Sequence, residues 1–489
     1  MNSRIRSVIL SLVIMCSVVL SAAEDISNRI PDLGQPENRY FSANLQDLYG
    51  RIIYNEYYSS PVFIKIPIVD DYINNLGLKL YAHVTDSNYI PRFFVVRENS
   101  INAFAYPGGT IGVHSGLILA SQTESELAGV LAHEISHVSQ NHIARSIQNS
   151  AQNAPLQILT TLAALLAASQ SSSTDAMAGT LAVTQGLFAQ QSINFTRSQE
   201  TEADQVGIKL MEKSGFSVTG FRDFFSRLAK ARGTDTLFPI PEMLMTHPKP
   251  SSRIAETRSR MTIENSKPVA NSFSYEMVKV LMANEHKLDS SVYQEDAVNF
   301  SDSGKIFDQA IKLAISEPVK SEALLTQLTD AEFHPYVHLQ LAQQQLNMAK
   351  PDKALETVDN ALRLFPNNAL LSLFRAERLL EKGQNTRTIE ELSQLQLFSS
   401  NPRIPALLAK AYEKQGNKIE AYYHISRHYY AVGDFYRAMY QLDNALATPG
   451  INQEQERRIQ QRYDDIYNEL PDKLREEIIR AKRFPNSRI

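Results

Sequence analysis

Cysteine is almost missing from this chain: one residue in 489, Cys16. It lies in an apolar run near the N-terminus, with Met15 before it where a lipid-attachment motif wants a small residue. Neither a lipidated cysteine nor a disulfide framework is expected, although an oxidising compartment permits disulfides without requiring them. Tryptophan is absent. Neither sign of charge dominates: 49 basic against 53 acidic residues give a formal net charge of −4, which excludes the basic footprint of a nucleic-acid binder. Long apolar runs are missing too. The runs at 8–20 and within 156–188 fall short of the roughly 20 residues of a membrane-spanning helix. Hydrophobic residues make up 43% of the chain, so sizeable cores can form, and the length points to two or three domains.

What is present begins with a targeting segment. Arg4 and Arg6 precede the apolar run, and Ser21-Ala22-Ala23 closes it with small residues. This reads as a cleaved signal peptide, residues 1–23, with Glu24 first in a periplasmic protein; an uncleaved anchor is the alternative. Loss of Arg4 and Arg6 takes 49 basic residues to 47 against 53 acidic, a net −6.

The sharpest chemical signal is His133-Glu134-Ile135-Ser136-His137, an HExxH motif. Positions i and i+4 share a helix face, so two imidazoles can point at one metal ion. Glu134, beside the first of them, can take the proton of an attacking water. Thr123 and Glu126 form a capping box at the helix start, and Leu127, Val130, Leu131, Ile135 and Val138 trace an apolar stripe over a helix expected at 123–146. Buried histidines and a glutamate need a partner, which a metal would supply.

A catalytic zinc usually keeps three protein ligands. His142 follows His137 by five residues, about 140° round a continuous helix and on a different face. The elongated motif HExxHxxGxxH is excluded by Gln140 and Ile143. Glu200 and Asp204 share a face at i, i+4; Glu200 could ligate while Asp204 holds a ligand histidine. The spacing alone is equally consistent with a solvated acidic first turn.

HExxH followed by ExxxD resembles the membrane-linked zinc peptidase family that includes the CaaX prenyl protease and the heat-shock protease HtpX. Three further segments are similar: Asn102-Ala103-Phe104-Ala105-Tyr106-Pro107-Gly108-Gly109, Glu202-Ala203-Asp204-Gln205-Val206-Gly207, and Thr246-His247-Pro248 with Arg253. The likeness covers about 45–265. It implies a zinc metalloendopeptidase holding one Zn2+ per chain through His133, His137 and Glu200, with Asp204 behind the ligands and Glu134 as general base and acid. His247 and Arg253 are the candidates for oxyanion stabilisation; alternatively, His247 fills the fourth metal position and leaves the resting enzyme latent. The strand of Asn102, Ala103, Phe104 and Ala105 could take substrate by strand addition.

Along the chain, 45–85 reads as helical, and 91–97, 101–106 and 110–114 as strands. Residues 150–195 read as a buried helical hairpin or as a lid or membrane-touching arm, which leaves peripheral membrane contact open. A Pro-rich loop at 233–252 carries His247. From 301 the pattern is repetitive: Ala376 follows Ala342 by 34 residues, Ala409 follows Ala342 by 67, and Ala421 follows Ala354 by 67. Small residues at that period fit tetratricopeptide repeats, with a degenerate first repeat at about 300–335 and a charged closing helix at 452–483. Tyr422, Tyr423, Tyr429, Tyr430, Tyr436 and Tyr440 cluster late in the array, mostly as packing residues.

The expected fold is mainly α: a zincin-like α+β metallopeptidase domain at 24–265, a linker or helical connection at 266–300, and an α-solenoid of tetratricopeptide repeats at 301–483. The wider resemblance, to periplasmic proteases of this family, implies quality control of unfolded or misassembled outer-membrane β-barrel proteins, chaperone-like activity, and contact with the β-barrel assembly machinery through the repeats. A tetratricopeptide adaptor or chaperone with a latent or secondary peptidase site is the competing function.

Overall fold

The computed structural model describes residues 42–85, 90–150, 196–234, 243, 247, 267–286, 300–397 and 399–483. The expected signal peptide, residues 151–195 of the expected hairpin, Arg253 and most of the expected Pro-rich loop lie outside the described residues. Among the described residues no helix is long and apolar enough to cross a membrane.

The chain opens with α1 (Ala43–Ser59), capped by the Ser42 hydroxyl accepting from Leu45 N, and α2 (Pro67–Tyr81), which starts on a proline that needs no amide partner there. Three short strands follow, β1 (Arg92–Val96), β2 (Ala103–Tyr106) and β3 (Thr110–His114), in the order β1-β3-β2. β1 runs parallel to β3 with Arg92 opposite Thr110; β2 runs antiparallel to it, with Phe104 opposite Gly112. The Phe104 ring fills the space a side chain at residue 112 would need. Between β2 and β3, Gly108 takes φ +77° in the Pro107-Gly108-Gly109 turn, and a Cβ there would collide with the Gln46 carbonyl oxygen. Glycine therefore sets how closely α1 sits on the sheet.

Then come α3 (Ser115–Ala120), α4 (Glu124–Ser139), α5 (His142–Ser150), α6 (Arg197–Lys213), α7 (Val218–Thr234) and α8 (Phe273–His286). The single helix expected at 123–146 is two. Gln140 N and Asn141 N bond back to Ser136 O and Val138 O, and Asn141 takes φ +53°. Asparagine tolerates that left-handed turn, so the helix stops and restarts in a new direction.

Within the linker or helical connection expected at 266–300, the described residues form α8. α8 packs into the core that holds α3 and α4: Tyr275 is fully buried and donates its hydroxyl to Ser121 O at 2.8 Å, while Lys279 Nζ donates to Leu119 O at 2.9 Å. Burial pushes the Lys279 ammonium down to about 7.

The remainder is a run of paired helices: α9 (Asp302–Lys312), α10 (Pro318–Ala331), α11 (Pro335–Asn347), α12 (Pro351–Leu364), α13 (Ala369–Glu381), α14 (Asn385–Leu395), α15 (Arg403–Lys414), α16 (Lys418–Val432), α17 (Phe435–Leu446), α18 (Gln453–Glu469) and α19 (Asp472–Arg483). Each from α9 to α18 packs on its sequence neighbours, and α11, α13 and α15 also touch across one intervening helix. Ala342, Ala354, Ala361, Ala376, Ala438 and Ala445 are fully buried where helices cross. The closing helix expected at 452–483 breaks at Leu470-Pro471, because proline cannot continue the hydrogen-bond ladder.

The array does not hang free. Near its start, Tyr336 donates its hydroxyl to Asp71 of α2 at 2.5 Å. Near its end, α16 packs on α1: a Cβ on Gly433 would collide with the Arg51 carbonyl, and Arg51 pairs with Glu469. Tyr422, Tyr423, Tyr429, Tyr430 and Tyr436 pack against the core shared by α1 and the last repeats, while Tyr440 is exposed.

Candidate metal centre

Burial of α4 places the HExxH residues. Thr123 Oγ1 accepts from Glu126 N at 3.2 Å and caps the helix. The return half of the expected capping box is not made: the Glu126 carboxylate instead accepts from Gln122 N and binds the Arg227 guanidinium at 2.6 and 2.7 Å, tying α4 to α7. His133, Glu134 and His137 are at most 1% exposed.

α6 brings the acidic residues. It begins with a complete capping box between Thr196 and Gln199 and crosses α4 closely at Gly207. A Cβ on Gly207 would stand 3.2 Å from the carbonyl carbon of Ala132 and 3.3 Å from His133 N, both backbone atoms. That approach puts Glu200 and Asp204 beside the two histidines.

Four residues converge: His133, His137, Glu200 and His247 each offer one ligand atom, all within 4.8 Å of one another. His133 Nε2 lies 2.9 Å from His137 Nε2 and 3.3 Å from His247 Nδ1. Glu200 Oε1 lies 2.8 Å from His247 Nδ1 and 3.5 Å from His137 Nε2; its Oε2 lies 3.6 Å from His133 Nε2. Atoms at zinc-ligand distance stand about 3.4 Å apart in a tetrahedron. Three imidazole nitrogens and a carboxylate turned toward one point would repel each other as bare lone pairs, and a divalent cation removes that repulsion. The residues present fit a metal.

The outer nitrogens define the tautomers. His133 Nδ1 lies 3.0 Å from Asp204 Oδ1, so Nδ1 carries the proton and donates it there, and Nε2 is left with a lone pair to offer a metal. His137 Nδ1 lies 2.9 Å from His142 Nδ1, and His142 Nε2 lies 3.1 Å from Glu202 Oε2. One assignment satisfies both contacts: His137 Nδ1–H donates to His142, and His142 Nε2–H donates to Glu202. His142 therefore does not sit on an unrelated face, as a continuous helix would place it; the break at Asn141 swings it behind His137. Its place behind His137 is what sequence reasoning missed, because Asn141 carries no local mark of the helix break. Burial lowers the His142 imidazole below its usual range, against the opposing effect of Glu202. Burial raises the Glu202 carboxyl, but His142 and then Arg145 outweigh it and hold it below the usual range.

Glu134 Oε1 lies 3.5 Å from His247 Nε2. His247 is held by its own backbone: its N–H donates to Met243 O at 3.0 Å, and Met243 N–H donates to Ile101 O at 3.3 Å, one residue before Asn102. Asn102 and Ala103 are buried, Phe104 and Ala105 are half-buried, and β2 forms one edge of the described sheet. Arg253 lies outside the described residues.

Comparison with known proteins places this geometry in context. Residues 69–261 match Peptidase family M48. The Beta-barrel assembly-enhancing protease of Escherichia coli (strain K12) is 29% identical over 406 residues, 82% of this chain and 77% of that protein. The Putative beta-barrel assembly-enhancing protease of Vibrio cholerae serotype O1 is 36% identical over 252 residues, 52% of this chain and 51% of that protein. Metalloprotease LoiP of Escherichia coli (strain K12) is 30% identical over 177 residues, 35% of this chain and 64% of that protein.

Proposed function

We propose that this chain, a metalloprotease whose residues 69–261 belong to Peptidase family M48, is a zinc endopeptidase of the periplasm, latent at rest, that acts in the assembly and quality control of outer-membrane β-barrel proteins. The observation that carries the reading is the meeting of Glu200 and His247 with both HExxH histidines, from three separated parts of the chain.

His133, His137 and Glu200 would hold the ion. A bound divalent zinc ion polarises the scissile carbonyl and acidifies water. Asp204 and His142 hold the two histidines in the tautomer that turns Nε2 inward. Glu134 takes the proton of the attacking water and returns it to the leaving amine. His247 fills the fourth side of the donor set. Met243, whose carbonyl accepts from His247 N–H, donates its own N–H to Ile101 O beside β2, so a chain pairing with β2 would compete with that bond.

The assembly role rests on the names of the similar E. coli and V. cholerae proteins, the periplasmic location on the N-terminal signal pattern, and chaperone-like binding and contact with the assembly machinery on the helical array. The test is a comparison of Glu134→Gln and Glu200→Ala. Glu134→Gln keeps its metal and loses casein cleavage; Glu200→Ala loses metal, whereas Glu202→Ala retains it within the centre. A Glu134→Gln protein that still cleaves casein would refute the assignment. Edman sequencing of the periplasmic fraction starting at Glu24 supports the location; a membrane-bound chain retaining Met1 contradicts it.

A further inference from the structure

We infer that a cleft late in the helical array binds the carboxylate groups of a peptide ligand, with Arg427 and Arg462 as its recognition residues. The cleft encloses about 510 Å³ between the α14–α15 connection, α16 and α18. Among the described residues no aspartate or glutamate lines it, although the chain as a whole carries net negative charge.

Its two cations face no carboxylate among the described residues. Arg427 Nη1 donates to the neutral Gln396 Oε1 at 2.7 Å. Arg462 lies over the Tyr430 ring, its guanidinium carbon 4.0 Å from the centroid. The nearby acids are engaged elsewhere: Glu420 binds Arg458 at 2.6 Å, and Glu469 binds Arg51 and accepts from the Tyr430 hydroxyl at 2.8 Å. Burial is the main cause that lowers Arg427 below the usual arginine range; Tyr423 opposes it, and the charges of Arg462 and Arg458 add to it. A bound anion relieves that crowding of positive charge.

The chemistry selects a peptide carboxylate over a free inorganic anion. Guanidinium forks match planar carboxylates in paired hydrogen bonds. Gln396, Ser399 and Asn401 offer amide and hydroxyl partners for a peptide backbone, and Leu397, 72% exposed, and Pro405 offer apolar contact for a neighbouring side chain. Tyr430 also lies against Arg51 of α1, at 4.8 Å. A peptide in the cleft is therefore held at the seam between the array and the peptidase domain. The carboxylate can come from a C-terminus or from acidic side chains.

The experiment is fluorescence anisotropy with the full-length chain and three dye-labelled decapeptides, each recovered intact by mass spectrometry: an Asp/Leu peptide with a free C-terminus, the same peptide amidated, and its Asn/Leu counterpart with a free C-terminus. At least one carboxylate-bearing peptide binds, and Arg427→Gln/Arg462→Gln weakens it at least tenfold. Arg462→Lys, which keeps the charge but loses the planar fork, weakens it a few-fold. Loss of binding on amidation assigns the C-terminal carboxylate; loss on Asp-to-Asn exchange assigns the side chains. Equal affinity of wild type and double variant overturns the proposal, as does displacement of the peptide by equimolar inorganic phosphate. If the double variant fails to fold by circular dichroism, unchanged affinity in Arg462→Lys overturns it instead.

Discussion

His137 and His142 face each other through their Nδ1 atoms at 2.9 Å, across the helix break at Asn141. One proton serves the pair, and its position fixes which nitrogen of His137 looks inward. His142→Ala removes the acceptor and frees the His137 ring. Metal affinity is expected to fall about 10- to 100-fold, with cleavage restored by excess zinc. His142→Gln, which retains an acceptor, recovers part of the affinity. Competition with a chromophoric chelator measures this; unchanged affinity in His142→Ala would show that the contact positions nothing.

Gly207 sets the spacing of the two ligand helices. Alanine is a better helix former by about 1 kcal/mol, but its Cβ would press on the backbone of Ala132 and His133 at 3.2–3.3 Å, and backbone cannot rotate away. Overpacking therefore wins, costing roughly 1–3 kcal/mol. Gly207→Ala is expected to lower the melting temperature and the metal content together, since Glu200 and Asp204 move with α6. A higher melting temperature at full metal content would mean the crossing has slack.

The seam between α1 and the array is expected to respond to pH. Glu56 of α1 is pushed up to about 7, first by burial and then by Asp434, which is itself pushed up to about 6 by burial against the pull of Arg437. A carboxyl raised in the folded state holds its proton there at pH values where the unfolded chain has lost it. Folding is therefore favoured at low pH, and that stability is lost as pH rises from about 4.5 to about 7. Glu56→Gln is expected to flatten this slope and raise the melting temperature at pH 7.5, by at most about 3 kcal/mol of stability. Scanning calorimetry of both proteins at pH 5 and 7.5 decides it; parallel pH profiles would remove Glu56 as the cause.

The parts legible in the sequence are those governed by local pattern. β1, β2 and β3 fall within one or two residues of the expected strands, because β-branched and aromatic runs are bounded by proline and glycine. The buried alanines of the array follow from their spacing. The parts that were not legible depend on what the chain meets in space. Asn141 reads as an ordinary helical surface residue until its φ is known, and with it goes the placement of His142. α8 has no local mark of belonging to the peptidase core; only the buried contacts of Tyr275 and Lys279 place it there. The closing of α16 and α18 onto Arg51 joins positions some 380–420 residues apart, beyond any periodicity.

His247 is proposed to hold the resting centre closed, its Nδ1 2.8 Å from Glu200 and 3.3 Å from His133. The direct measurement is the rate of casein cleavage by wild type and His247→Ala, each purified to equal zinc content and compared at equal concentration. The account predicts a several-fold higher rate in His247→Ala, accompanied by self-cleavage. A clear fall in rate at equal zinc content would contradict latency and leave His247 as a residue that assists the reaction.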